Sequence, residues 1–418
     1  MQLTSTPDAP ESLQEGGPSL WSRLNHPAVA GVIAFLGWLA YALARWQVWA
    51  KGHLILFIVA GSGRAHGFTH PHQLPPGFMV ADPGSAGYDG QFYYRLALNP
   101  FNWSKTAYGI TMDQSYRYTR IGYPLLAWLV SFGQHDLVPA ALVAVNLVAV
   151  AAMAYFGAMF ARASDRHALW GLAFAAYFGL AISVGRDTGE PLAEACMLAG
   201  LLAYRRNRWV LAGSVFAFGA ITRETILLAP AAIAVVRLWD IVRRKERPGL
   251  PDVAWLAPAV AYGLLEVIAK FALKGQSGLS ASANRNLSIP FSAMIDAIKY
   301  DITQIDTSHL GVYDIVLLEF VTLGFFVVAG FAVIFVTTAP LWERIGFVFF
   351  VVEITLASNQ IWGSTFGDGR SLLEPFLFAL ILLLATPKRY LNTYRLAAIM
   401  AVALPALAIV VRRRILYM

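Results

Sequence analysis

The chain has 418 residues, 57% of them hydrophobic and 14% charged, and its formal net charge at neutral pH is +7. This composition lies outside the soluble range and is typical of a polytopic membrane protein. The basic residues fall in short clusters between apolar runs, and no contiguous basic face with interleaved stacking residues appears outside those loops, so nucleic acid is not an expected partner. Residues 1–25 are polar and rich in Pro, Gly and Ser, which predicts a disordered cytoplasmic tail and not a signal peptide.

Residues 26–418 predict one all-α membrane domain. A bilayer crossing needs about 20 apolar residues, and about eleven transmembrane helices (10–12) are expected here. The expected crossings are 28–49, 137–160, 168–185, 191–204, 209–222, 226–239, 253–273, 313–336, 345–357, 371–385 and 396–411. Two long polar stretches, about 51–136 and 275–312, remain as loops.

The first long loop is predicted to carry interfacial helices, because IGYPLLAWLVSF, residues 121–132, is apolar but too short to span. The second long loop begins with a stretch rich in Gly, Ser and Asn and continues from Pro290 as a short amphipathic pattern. Such a segment predicts a lid that is flexible without ligand. A static structural loop is the alternative.

Basic residues collect at turns that alternating crossings place on one side of the membrane, namely 161–167, 205–208, 243–247, 343–344 and 388–389. The positive-inside rule makes this side cytoplasmic. Both long loops and the turns at 186–190, 222–225 and 358–370 are then outside. The terminal RRR, residues 412–414, also falls outside unless the last run does not span.

The first loop contains GYDGQFYY, in which Asp89 precedes three aromatic residues. The flanking glycines let a backbone and an acceptor approach closely. The rings of Phe92, Tyr93 and Tyr94 can exclude water, which raises the basicity of a carboxylate. The pattern favours Asp89 as a general base; the alternative is a cap on a helix that begins near Gln91.

Arginines recur on the predicted outer side, and few lysines accompany them. The planar donor fork of Arg matches a phosphate group. The candidate phosphate ligands are Arg117, Arg120, Arg186, Arg223 and Arg370. Lys274, just before the second long loop, is a weaker candidate.

Carboxylates and aromatic residues accompany these arginines. The predicted substrate-binding or supporting residues are Tyr93, Tyr94, Asp113, Glu190, Glu224 and Asp368. Three alternatives remain: an Arg223–Glu224 pair that ties two helix ends, a cap by Glu190 before a helix, and an ordinary turn around Asp368. No metal site is predicted, because the histidines at 66, 70 and 72 have no Cys or carboxylate at ligand spacing.

These features together resemble the GT-C superfamily of membrane glycosyltransferases, which use polyprenyl-phosphate-linked sugars. GYDGQFYY resembles the first-loop segment that carries the presumed catalytic aspartate, here Asp89. IGYPLLAWLVSFG resembles the start of the second juxtamembrane helix, TRETILLAP the Thr-Arg-Pro-Glu type turn, and GRSLLEPFLFALILLL the late Arg segment. The chain departs from the pattern in two ways: no Asp-Glu or Asp-x-Asp pair surrounds Asp89, and Glu224 directly follows Arg223. The branch of the family, and hence donor and acceptor, stays open.

The resemblance implies an inverting glycosyltransferase, of EC class 2.4, in the bacterial inner (plasma) membrane with its active site on the extracytoplasmic side. Asp89 takes the acceptor proton, and the arginines offset the charge of the leaving phosphate. The implied partners are a polyprenyl-phosphate-linked sugar donor, a lipid, glycan or protein acceptor, and membrane lipid. No cofactor is required, and assistance by Mg²⁺ or Mn²⁺ stays open.

Two other functions compete with this one, a transporter or flippase of a lipid-linked saccharide and a noncatalytic membrane scaffold. A pocket open to one side and lined by Asp89 with several arginines favours the enzyme, whereas alternating access favours transport.

Overall fold

A computed structural model describes residues 19–62, 68–305, 311–363 and 368–417. Of these described residues 72% are helical, and the one sheet among them is the hairpin of β1 (Thr106–Ala107) and β2 (Ile110–Thr111). The predicted mostly helical class is therefore confirmed. Most of the predicted tail, residues 1–18, lies outside the described residues, and the end of it is ordered as a short helix capped by Ser19.

The α-helices differ widely in length. The first nine are α1 (Leu20–Leu24), α2 (Pro27–Val48), α3 (Gly90–Leu98), α4 (Tyr116–Thr119), α5 (Gly122–Val130), α6 (Val138–Ala163), α7 (Gly179–Gly185), α8 (Glu190–Arg205) and α9 (Trp209–Thr222). The others are α10 (Leu228–Arg244), α11 (Val253–Ala272), α12 (Gly278–Asn286), α13 (Ser292–Thr303), α14 (Val312–Val333), α15 (Leu341–Leu356), α16 (Asn359–Trp362), α17 (Leu373–Leu384), α18 (Thr393–Ala401) and α19 (Ala403–Leu416). Short 3₁₀ helices are Leu54–Ile58, Pro71–Gln73, His135–Leu137, Ala168–Ala175, Glu224–Leu227, Leu250–Asp252 and Asp368–Leu372.

Six helical segments of the described chain are long and apolar enough to cross a membrane. They are Pro27–Val48, His135–Ala163, Glu224–Arg244, Leu250–Ala272, Val312–Val333 and Thr393–Leu416. A seventh is added if Ala168–Ala175 and α7, which meet at a bend of 66°, form one span. These helices indicate a membrane protein, but the expected count of about eleven is not confirmed. Helices α8, α9, α15 and α17 do form where crossings were predicted, with 16, 14, 16 and 12 residues.

The core surrounds α17, in which every residue is buried. A helix that is apolar on all sides is stable only when neighbours cover it on all sides, and α14 and α15 are among those neighbours. The outer helices instead expose large apolar side chains, such as Leu264 on α11 and Val328 on α14. Such surfaces suit contact with lipid.

The two long predicted loops contain much of the remaining structure. Helix α5 forms within the predicted interfacial segment, and its Tyr123 hydroxyl donates to the carbonyl oxygen of Leu142 at 2.9 Å, which ties it to α6. In the second loop the stretch predicted to be flexible forms α12. Its N-terminus is capped by Ser277, whose side chain accepts from the backbone N–H of Ser280. The short helix predicted from Pro290 is present as α13.

The C-terminal RRR lies at the same end of the bundle as the first loop. The guanidinium of Arg45, at the end of α2, donates to the carbonyl oxygens of Arg414 and Tyr417, the latter at 3.1 Å. The same side chain donates to the carbonyl oxygen of Gly185 at 3.0 Å, just before the turn at 186–190. The sequence left the side of this segment open, and the structure shows only that it lies, with Arg414 buried, at the same end as the first loop.

Candidate active site

A cavity of about 420 Å³ opens between the first loop, the turn after α9, helix α12 and the segment before α17. Among the described residues, five arginines line it: Arg117, Arg120, Arg223, Arg285 and Arg370. Four carboxylates also line it: Asp89, Glu190, Glu224 and Glu353. Part of the remaining wall is apolar and includes Leu227, Leu228, Leu279 and Leu287. Four of the five predicted phosphate ligands therefore meet Asp89 around one space.

Asp89 lies between two arginines from distant parts of the chain. One carboxylate oxygen is 2.9 Å from Nη2 of Arg117, and the other pairs with Nη2 of Arg370. Its side chain is 18% exposed. The alternative role as a helix cap is contradicted, because Asp89 holds the N-cap position of α3 without a side-chain hydrogen bond to that helix.

The electrostatics of Asp89 also differ from the prediction. Burial raises the pKa of this carboxyl, but the charges and hydrogen bonds of Arg117 and Arg370 outweigh it and hold the pKa well below its usual range. The aromatic rings were expected to exclude water from Asp89 and so raise its basicity. The ring of Phe92 instead packs on the arginine partner of Asp89, 4.6 Å from the guanidinium carbon of Arg117. Without ligand, Asp89 is a stable anion and a weak base.

The glycines beside Asp89 serve backbone packing. Gly87 has a φ of +72°, and a Cβ added there would lie 2.3 Å from the backbone nitrogen of Gly61. A Cβ on Gly90 would lie 2.4 Å from the carbonyl oxygen of Arg186. Both contacts are too short for any side chain, so these glycines let the start of α3 meet the neighbouring backbone. They were predicted to admit an acceptor instead.

Arg117 continues the network away from the cavity. Its Nε donates to Oδ1 of Asp113 at 3.0 Å, and Oδ2 of Asp113 accepts from Nη1 of Arg285 at 2.9 Å. Asp113 therefore supports two cavity arginines without lining the cavity itself. Burial lowers the pKa of Arg117, but the attraction of Asp89 and the other partners raises it well above its usual value. Sequence reasoning missed Arg285, although it is the one charged residue between Lys274 and Asp296.

Arg120 and Glu224 form a two-bonded ion pair across the cavity. Nε and Nη2 of Arg120 donate to the carboxylate at 2.8 and 2.6 Å. The hydroxyl of Ser282, on α12, donates to the same carboxylate at 2.6 Å. The alternative of an Arg223–Glu224 pair is therefore wrong, because adjacent residues in this turn point to different partners.

Arg223 turns toward the buried side of the site. Its Nη2 donates to the carbonyl oxygen of Ser371 at 3.0 Å, and Nη1 lies 3.7 Å from Glu374 and 4.0 Å from Glu190 without a hydrogen bond. Glu190 also pairs with Nη1 of Arg370. The predicted role of Glu190 as a cap finds no support, since the N-cap of α8 is Gly189 and has no side-chain hydrogen bond.

Arg186, the fifth predicted phosphate ligand, does not line the cavity. Its guanidinium carbon lies 4.2 Å from the ring centre of Tyr88, and that of Arg370 lies 4.8 Å from the same ring. Burial and, next to it, the charge of Arg414 together lower the pKa of Arg186 to about 10. Arg186 and Arg370 thus share the ring of Tyr88, which does line the cavity.

Tyr93 and Tyr94 belong to the core of the first loop. Tyr93 packs edge-on against Tyr123 with ring centres 5.5 Å apart, and Tyr94 lies 5.3 Å from Phe78. Both are 3% exposed and outside the cavity lining. Burial raises the pKa of Tyr93 to about 12, so its phenol stays neutral. Of the predicted Asp368, only the backbone position at the start of a 3₁₀ helix is described.

Glu353 is a cavity residue that sequence reasoning missed. Its Oε2 is buried and has no hydrogen-bond partner among the described residues. The signal was present, because this Glu interrupts the apolar run FVFFVVEITLA. Nearby, Glu374 accepts from the hydroxyl of Thr225 at 2.7 Å.

Nothing in the described residues forms a group of three or more His, Cys, Asp or Glu side chains that could hold a metal ion. His70 and His72 are exposed, and His66 lies outside those residues. Comparison with protein-family models, with curated proteins and with solved structures finds no significant match for this chain.

Proposed function

We propose that this protein is an inverting glycosyltransferase that moves a sugar from a polyprenyl-phosphate donor to an acceptor hydroxyl. The observation that supports this most is the position of Asp89 on the cavity wall, paired with Arg117 and Arg370. A carboxylate that takes a proton and arginines that hold a phosphate are the two groups this transfer needs. The noncatalytic scaffold leaves this arrangement without a role.

The cavity wall suits the donor in charge and in polarity. Five arginines face four carboxylates, which leaves the lining with an excess of one positive charge if all are ionised. A sugar phosphodiester carries one negative charge and balances it. The apolar wall at Leu227, Leu228 and Leu287 suits the first isoprene units of the lipid.

The proposed reaction begins with an exchange of partners. The donor phosphate takes hydrogen bonds from Arg117 and Arg370, which weakens their hold on Asp89 and raises its basicity. Asp89 then removes the proton from the acceptor hydroxyl, whose oxygen bonds to the anomeric carbon. The bond between that carbon and the phosphate oxygen breaks, and polyprenyl phosphate leaves with the electron pair. The arginines offset the charge that grows on the leaving phosphate.

We also propose the finer membrane arrangement. Some eleven crossings, with α8, α9, α15 and α17 as short ones, place the cavity on the extracytoplasmic side by the positive-inside rule. The bacterial inner membrane is the proposed location. A 14-residue helix such as α9 rises about 21 Å, so the turn after it lies below the surface of a core about 30 Å thick. A lipid-linked donor can reach such a site laterally.

The carboxylates in and beside the cavity are not arranged to bind a metal ion. Both oxygens of Asp89 are occupied by arginines, and Asp113 and Glu224 are likewise paired with arginines. Mg²⁺ prefers several oxygen ligands around one point, which these residues do not offer. The proposed steps therefore use only side chains of the chain, and independence from Mg²⁺ and Mn²⁺ is a prediction.

A transfer assay tests the function. Purified protein in lipid vesicles is given a panel of radiolabelled polyprenyl-phosphate sugars with lipid, glycan and protein acceptors. Label transferred to an acceptor by the wild type, and not by Asp89→Asn, supports the enzyme. Movement of the intact labelled donor across the vesicle membrane, without any transfer, supports the transporter or flippase and contradicts the proposal.

A further inference from the structure

A second cavity, of about 860 Å³, lies on the other side of α12 from the first. On this nine-residue helix Leu279, Ser282 and Asn286 line the first cavity, whereas Ala281 and Asn284 line the second. Residues three or four apart share a face of a helix. Helix α12 is therefore a wall between two spaces.

The second cavity offers hydrogen-bond donors that the protein does not use. Five of the polar side chains in its lining are Lys105, Gln114, Lys274, Gln276 and Asn284. None of them makes a side-chain hydrogen bond or ion pair to another described residue. Lys105, Lys274, Gln276 and Asn284 are exposed to solvent, so their ammonium and amide groups can exchange water for a ligand rich in oxygen acceptors.

An aromatic ring completes the lining. Trp103 is half-buried and stacks on Tyr118, with ring centres 5.5 Å apart and an interplanar angle of 12°. The Tyr118 hydroxyl donates to the carbonyl oxygen of Ser104 at 2.8 Å, and the guanidinium carbon of Arg95 lies 5.5 Å from the Tyr118 ring. These contacts fix the indole as a flat apolar platform, against which the carbon face of a sugar ring can pack.

The second cavity begins close to the proposed base. Arg117 lies 2.9 Å from Asp89, which lines the first cavity, and 3.0 Å from Asp113, which lines the second. One guanidinium thus separates the two spaces. Because Asp113 is neutralised by Arg117 and Arg285, the charge left over in the second cavity comes from its two lysines and is positive.

We propose that this second cavity binds the acceptor, and that the acceptor is a saccharide carrying a carboxylate or a phosphate. The aromatic platform and the amides suit its rings and hydroxyls, and Lys105 and Lys274 suit its anionic group. The role as acceptor rests on the proposed function, whereas the binding of an acidic saccharide does not. Because Arg117 stands between this cavity and Asp89, the reacting hydroxyl of a bound acceptor has to extend past Arg117 to reach the base.

Three fluorescent oligosaccharides test the binding to the purified full-length protein: neutral maltohexaose, a galacturonate hexasaccharide and pentamannose 6-phosphate. At least one acidic probe is expected to bind about tenfold more tightly than maltohexaose, with an affinity that falls as salt is added. Which acidic probe binds identifies the anion. Equal binding of all three, or binding of none, overturns the proposal.

Variants locate the site. Trp103→Ala and the double variant Lys105→Gln, Lys274→Gln are each expected to lower the affinity for the acidic probe at least about fivefold. Trp103→Phe is expected to keep the wild-type affinity. The matched controls Trp239→Ala and Lys388→Gln, away from both cavities, should bind as the wild type does. Wild-type affinity in the cavity variants, or displacement of the probe by farnesyl phosphate, overturns the assignment. If the wild-type protein binds the acidic probe but does not transfer a sugar to it, the binding site stands and its role as the acceptor site is wrong.

Discussion

Helices α8 and α15 each carry charged residues at both ends, and the two ends differ. At one end Arg205 and buried Glu343 form a two-bonded pair, with Nε to Oε1 at 2.5 Å. At the other end Glu190 pairs with Arg370, which also pairs with Asp89. One end is a closed pair, and the other is a shared network around a cavity.

The difference separates charges that pair only with each other from charges that keep unused hydrogen-bonding capacity. A buried pair with good geometry leaves little capacity for other partners. In the shared network, Nη1 of Arg223 and Oε2 of Glu353 are buried without hydrogen bonds. Each such group costs about 1–3 kcal/mol relative to a satisfied one, which a bound ligand can recover. Spare hydrogen-bonding capacity, more than charge itself, marks the end where we propose the active site.

The sharpest test of this comparison replaces one carboxylate at each end. Asp89→Asn should fold and lose at least about a hundredfold in turnover, because Asn cannot accept the acceptor proton. Glu343→Gln should lower the melting temperature and keep most of its turnover. Both are measured by sugar transfer and thermal unfolding. Wild-type turnover in a stable Asp89→Asn protein removes the catalytic assignment and makes Asp113 the next residue to test.

Arginines at the cavity end and at the closed end should also differ in their effect on donor use. Arg370→Ala and Arg223→Ala should weaken use of the donor by about 2 kcal/mol or more, since a desolvated, charge-assisted contact to phosphate is lost. The readout is kcat/KM for the donor. Arg205→Ala is the control at the closed end and should change stability without changing the donor KM. Unchanged donor kinetics in both cavity variants argue against a phosphate role.

A pair of glycines tests whether the position of α12 matters. A Cβ on Gly278 would lie 2.6 Å from Oε1 of Glu266 and 2.9 Å from Cγ2 of buried Thr119. A Cβ on Gly263 would meet nothing within 4 Å. Gly278→Ala should destabilise the protein by about 1–3 kcal/mol through overpacking and weaken donor binding. Gly263→Ala, on α11, should be neutral or stabilising. Equal melting temperatures for the two variants would show that α12 adapts freely.

The pH dependence of stability should reveal the hold of Arg117 and Arg370 on Asp89. The pKa of Asp89 is lower in the folded protein than its unfolded value of about 3.9. Its contribution is therefore fully present above the unfolded pKa and is lost as pH falls through the folded pKa. The melting-temperature difference between wild type and Asp89→Asn should be constant from about pH 8 to 5 and shrink below about pH 4. A difference that already shrinks near neutral pH means that the arginines do not hold Asp89.

Removal of metals should have the smallest effect. Because Asp89, Glu190 and Glu224 are paired with arginines, EDTA should leave transfer unchanged and added Mg²⁺ or Mn²⁺ should not increase it. The control is the same assay after dialysis without chelator. A loss of transfer that Mn²⁺ restores would require carboxylates to leave their arginines and bind the metal together.

Local sequence patterns identified much of the candidate active site. Asp89 stood out as a charge among glycines and aromatics, and Arg117, Arg120, Arg223 and Arg370 as charges at the ends of apolar runs. The structure brings these five to one cavity. Arg285 and Glu353 escaped notice because one lies in a stretch that read as flexible and the other within a predicted crossing. A lone charge carries no local signal of its distant partner.

The sequence alone determined that the protein is helical and membrane-embedded, because hydrophobic runs and charge clusters are properties of neighbouring residues. Only the tertiary structure decided which charge meets which. Arg223 and Glu224 are adjacent in sequence yet take different partners, and Asp89 and Arg370 pair across 281 positions. It likewise made Asp89 a weak base in the ligand-free protein. Pairing energies depend on distance and burial, which only the folded chain sets.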